Sequence, residues 1–81
     1  MTQLVLEARA VELVATEADV PPENLPVYWD VSADLISLMA DIEEVSVRSP
    51  DLPADDPEVL ALRRRLRQIV SRLAELSQPP T

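Results

Sequence analysis

The chain is predicted to be all-α, a small three-helix domain built on an antiparallel hairpin of helices two and three. Three observations carry that prediction. Apolar residues recur in steps of three and four along most of the chain. Proline clusters at 20–26 (VPPENLP), 49–57 (SPDLPADDP) and 78–81 (QPPT begins at 78 with Gln) cut the chain into three segments of helical length. With no glycine among 81 residues, the turns fall to proline, aspartate and asparagine. This length holds one domain, 1–81, and its core stabilises by only ~3–5 kcal/mol, so help from a partner chain is expected.

The first helix is expected over about 3–19. Leu4, Ala8, Val11, Val14, Ala15 and Ala18 share one face, while Leu6, Ala10 and Leu13 widen the apolar arc past half the circumference. Only Arg9, Glu12, Thr16 and Asp19 remain as a narrow polar stripe. That is more apolar surface than one neighbouring helix covers, which points to a protein partner or a second copy of the chain. The LVL run at 4–6 also suits a short strand.

The second helix, about 27–48, carries two apolar rows and one polar row. Tyr28, Val31, Leu35, Leu38, Ile42 and Val45 form the first, and Trp29, Ala33, Ile36, Ala40 and Val47 the second. Asp30, Asp34, Ser37, Asp41, Glu44 and Arg48 form the polar row. Two apolar rows mean two neighbours, so helix one is expected to pack on the Trp29, Ala33, Ile36, Ala40 row, or on its equivalent in a second chain exchanged in a dimer. Tyr28 and Trp29, the only aromatics, either close the bundle over VPPENLP or anchor a partner.

The third helix, about 57–77, has the plainest signals. Asp56, Pro57 and Glu58 read as an N-cap, a proline at the first helical position and an acid in the first turn. Val59, Leu62, Leu66, Ile69, Leu73 and Leu76 form one stripe, which Val70 broadens. Residues 78–81 are expected to be a flexible tail.

Four of the seven arginines fall in LRRRLR, inside a chain of net charge −8. On a helix they disperse: Arg63 and Arg67 lie on one flank of the stripe, Arg65 and Arg72 on the other, and Arg64 points away. An antiparallel hairpin brings Asp41 near the level of Arg63, and Asp34 near Arg67. Charge pairing of Asp34 and Asp41 with Arg63 and Arg67 is therefore expected, each pair worth only ~0.2–1 kcal/mol if exposed. Direct nucleic-acid binding is not expected, because the acids repel phosphate and no aromatic is interleaved with the arginines.

Absences narrow the chemistry. The chain has no His, Cys or Lys, hence no imidazole base, thiol nucleophile or Schiff-base amine. Without glycine no phosphate loop can be drawn. The expectation is a protein that is not an enzyme, with no cofactor and no metal. MTQLVLEARAVELVA lacks a basic start and is interrupted by charges, so it makes a poor signal peptide and a poor membrane span; a cytoplasmic address is expected. What remains is an interaction module, self-associating or bound to another protein, with Leu6, Ala10, Leu13, Tyr28, Trp29 and Ile36 as contacts. The alternative is an acidic DNA mimic or inhibitor of a nucleic-acid-handling protein, built on Asp30, Asp34, Asp41, Glu43 and Glu44.

Overall fold

Proline placement sets the three connections, and the helices follow. A computed structural model describes residues 1–77, in which α1 spans Thr2–Glu17, α2 Leu25–Arg48 and α3 Pro57–Ser77. The proposed tail, 78–81, lies outside the described residues. No strand occurs among the described residues, and Leu4–Leu6 are helical.

α1 stops at Glu17, two residues before the expected end, because Ala18 turns to an extended backbone (φ −64°, ψ 134°) ahead of the Pro21–Pro22 pair. A single 3₁₀ turn at Pro22–Asn24 then leads directly into α2. That lead-in starts α2 at Leu25, two residues early, with Pro26 tolerated in the first turn where its missing N–H has no partner to lose. α3 begins as its sequence dictates: the Glu58 backbone N–H donates to Asp56 Oδ1 at 2.9 Å, and the Leu60 N–H donates to the Asp56 carbonyl at 2.9 Å.

The helices run up, down and up around one core. Leu4, Ala8 and Ala15 of α1 meet Val31, Leu35, Leu38, Ile42 and Val45 of α2. Val59, Leu62, Leu66, Ile69, Leu73 and Leu76 of α3 complete it. The α2 and α3 stripes are the ones their periodicity predicts. Two side-chain hydrogen bonds and a terminal one tie the ends together. Tyr28 Oη donates to the Ala15 carbonyl at 2.7 Å, and Asn24 Nδ2 donates to the Leu76 carbonyl at 3.3 Å. At the other end the Met1 amino group donates to the Leu52 carbonyl at 3.3 Å.

The expected seat of helix one is not the one observed. α1 lies in the groove between α2 and α3, with Val5 and Ala8 beside Met39 and Ile42, and Val11 beside Leu66. The Trp29, Ala33, Ile36, Ala40 row of α2 is left exposed. The reason is geometric. A helix in the groove of a hairpin covers apolar surface on two helices and shares their core, whereas one laid on the back of α2 touches a single helix.

The charge pairs need a matching correction. Asp34 and Asp41 do pair with α3, but Asp34 is held by Arg72 (2.8 Å) and Asp41 by Arg65 (2.7 Å). Arg63 instead approaches Glu7 of α1, its Nε 3.4 Å from Oε2. That nitrogen is buried and makes no hydrogen bond, so the carboxylate compensates it by charge alone. Arg67 is exposed and lines the shallow α1–α3 recess. The two flanks of an apolar stripe are equivalent in its periodicity; only the seat of the third helix makes them differ. α1 occupies the Arg63 and Arg67 side, leaving Arg65 and Arg72 to face α2.

With Arg48–Glu58 at 2.5 Å, the α2–α3 pairs form a ladder. Residues 34, 41 and 48 face 72, 65 and 58, one rung every seven residues on both helices. The last rung reverses sign. A slip of one heptad in either direction therefore keeps one attraction and creates one like-charge clash: Asp41 with Glu58, or Arg48 with Arg65.

Two consequences can be measured. Asp41→Arg should lower the melting temperature, and adding Arg65→Asp should recover part of the loss. The coupling should be ~0.2–1 kcal/mol because both side chains are about half exposed, and it should shrink with salt; no coupling in a double-mutant cycle would remove this rung. Tyr28→Phe should cost ~0.5–1.5 kcal/mol in urea unfolding by deleting the hydrogen bond to Ala15.

Candidate protein interface

Every helix in a three-helix bundle has a back that points away from the core, and in water that back is ordinarily polar. α3 follows the rule, exposing Arg64, Arg67, Gln68 and Ser71 with Leu60 as the one large apolar exception along that line. α1 and α2 do not.

On α1, Leu4, Ala8 and Ala15 fix the core direction, and at about 100° per residue Leu6 and Leu13 project almost opposite to it. They are 61% and 65% exposed, and Ala10 between them is exposed too. Thr2 and Glu17 end this row. On α2, the direction of Val31, Leu35, Leu38 and Ile42 places Trp29, Ala33, Ile36, Ala40 and Val47 on the opposite side. Trp29 is 65% exposed, Ile36 69% and Val47 80%.

Of the sequence-derived contacts, Leu6, Ala10, Leu13, Trp29 and Ile36 thus stand at the surface, and Tyr28 does not. Tyr28 is half-buried against the core, its hydroxyl is taken by Ala15, and its ring meets Trp29 edge-on at 5.7 Å and 67°. The adjacent aromatics therefore divide their roles: Tyr28 closes the α1–α2 end, and Trp29, in edge contact with it, is held in place while facing outward.

One surface feature was not legible in the sequence. Val14 of α1 and Val70 of α3, both placed on core stripes by their periodicity, are exposed and line an apolar groove together with Ala10, Ala15, Leu73 and Ala74. The short alanine side chains leave that groove open where larger residues would have filled it. A count of side-chain volume along α1, which has alanine at 8, 10, 15 and 18, would have been the available signal.

Three of the four charged candidates are engaged inside the chain. Asp34, Asp41 and Arg63 each have an ion-pair partner, and Arg67 lies apart from Asp34 and Asp41. Among the described residues no group of three His, Cys, Asp or Glu side chains is arranged to hold a metal ion. No described helix is long and apolar enough to cross a membrane. The site that the geometry offers is a pair of apolar helix faces, and no protein-family model, curated protein or solved structure matches the chain to say what occupies them.

Proposed function

We propose that the protein is a protein–protein interaction module without catalytic chemistry of its own, an adaptor, small chaperone or assembly subunit acting in the cytoplasm. One observation carries the reading: the backs of α1 and α2 are apolar where that of α3 is polar. Isolated exposed apolar residues are ordinary on any protein; rows aligned along two helices are not.

The α1 face is the one suited to a second copy. Leu6, Ala10 and Leu13 run large, small, large, so a two-fold axis near Ala10 sets Leu6 against Leu13 of the other copy and lets the backbones approach at the alanine. No acid stands between the two leucines on this row, and Glu7 beside it is turned to Arg63. Val14 and Val70 extend the apolar surface along one side. Such a contact is smaller than the ~800 Å² per partner of a standard interface, so the association should be in the micromolar range. The alternative, mimicry of nucleic acid by the acidic row, has less support, because Asp34 and Asp41 are already neutralised by arginines.

Light scattering on a size-exclusion column tests the self-association. The chain should approach twice its 9.0 kDa mass at tens of micromolar, an order-of-magnitude concentration for so small a contact. Leu6→Asp with Leu13→Asp should return it to 9.0 kDa with unchanged far-UV circular dichroism. A wild-type chain that stays at 9.0 kDa over this range would sink the α1 dimer.

A further inference from the structure

The face on α2 differs in kind from that on α1. Trp29, Ala33, Ile36, Ala40 and Val47 recur in steps of four and three, with Glu43 filling the one missing place. The row is two positions wide in seven, which is the width of a seam that pairs with another helix along its length. From 29 to 47 it runs roughly 27 Å at 1.5 Å per residue. Ala33 and Ala40 leave low points between Trp29, Ile36 and Val47, so the large side chains of an incoming helix have somewhere to sit.

The α3-side margin of this seam is acidic. Asp30 and Glu44 border it on the α3 side and Glu43 stands within it; among the described residues none of the three has an ion-pair partner. On the α3 side the arginines are already engaged: Arg65 and Arg72 hold Asp41 and Asp34, and Arg48 holds Glu58, while Arg9 of α1 lines the recess beside Glu43 without forming an ion pair among the described residues.

A second copy is a poor occupant. Antiparallel pairing about Ser37 brings Asp30 against Glu44 of the other chain, and parallel pairing sets Glu43 against its own copy inside the seam. Nor does another face of the protein supply the complement. The back of α3 has Arg64 and Arg67 but only Leu60 as a large apolar residue on that line, and the α1 row has Arg9 as its one neighbouring cation. Each chain also carries a net charge of −8. We propose that the α2 seam receives a basic amphipathic helix of a different protein, with large aliphatic residues in steps of three and four and Lys or Arg on their flanks. The proposal rests on the interaction-module reading but uses a face separate from the α1 dimer contact.

Trp29 is the only tryptophan, so its emission reports occupancy of the seam directly. The probe is a Trp-free helical peptide of about 21 residues, six turns, with Leu at the seam positions and Lys beside them; its control has Glu in place of each Lys. The Lys peptide should shift Trp29 emission to the blue, saturably and at micromolar concentrations, and the Glu peptide should bind at least about tenfold more weakly. Asp30→Asn with Glu44→Gln should weaken the Lys peptide several-fold.

Ala40→Glu separates seating from mere attraction. The position is exposed, so helicity should be unchanged. The added negative charge would strengthen non-specific adsorption of a cation, whereas a helix seated in the seam should lose about tenfold or more in affinity. Equal binding of both peptides, tighter binding to Ala40→Glu, or the absence of any shift would overturn the proposal. So would a blue shift on raising the protein concentration alone, which would make the occupant a second copy. The Leu6→Asp, Leu13→Asp variant should bind the Lys peptide like wild type. A wild-type chain that stays monomeric yet binds the peptide therefore refutes only the α1 contact, and a wild-type dimer that does not bind the peptide refutes only the seam.

Discussion

The register of the α2–α3 hairpin is the constraint on which the rest of the molecule depends. Burial of the two facing stripes drives the pairing, at about 25 cal/mol for each Å² of apolar surface removed from water. Burial alone is nearly blind to a slip of one heptad, because the stripes repeat. The rungs Asp34–Arg72, Asp41–Arg65 and Arg48–Glu58 are not blind to it, since the reversed sign of the last turns either slip into a clash. Weak, half-exposed pairs add little stability and still discriminate between near-equal alternatives. Once the register is set, the groove that receives α1 is set with it.

That groove also explains why two faces are left over. α1 is 16 residues long against 24 for α2 and 21 for α3, and its buried contacts are Leu4 and two alanines. A short, alanine-rich helix sits close to its neighbours but fills the groove incompletely, which leaves Val14 and Val70 exposed. Because α1 lies in the groove, it cannot also cover the back of α2. The Trp29 row is thus a second apolar surface that the fold does not use, and Tyr28 beneath it fixes where it begins.

Most of this architecture could be read from the sequence, and the errors share one origin. The α2 and α3 stripes, the Asp56 cap and the proline-bounded connections are local: each depends on residues within a few turns of one another. The seat of α1 and the identity of the arginines facing Asp34 and Asp41 depend on the hand in which three helices assemble. Periodicity places Arg63 and Arg67 on one flank and Arg65 and Arg72 on the other, but it is symmetric between the flanks. The exposure of Leu6 and Leu13 was legible for the opposite reason, since a helix with too many apolar rows must show one of them whichever way it packs, whereas that of Trp29 and Ile36 follows only from the seat of α1.

The LRRRLR run gains its meaning from the same geometry. Among the described residues, Arg48, Arg63, Arg65 and Arg72 are paired, leaving Arg9, Arg64 and Arg67 without ion-pair partners. None of those three lies on α2, while Asp30, Glu43 and Glu44 do. The chain's excess acidity is therefore unevenly spread: the α2 seam and its α3-side margin carry unpaired carboxylates, and the cations without pairs stand on the other two helices. Apolar surface supplies affinity without direction, and charge at its edge rejects the wrong sign. Within the arginine cluster, Arg65 holds Asp41 on one flank of α2 and Arg63 holds Glu7 of α1, so the field at the back of α2 is set by the carboxylates that remain free.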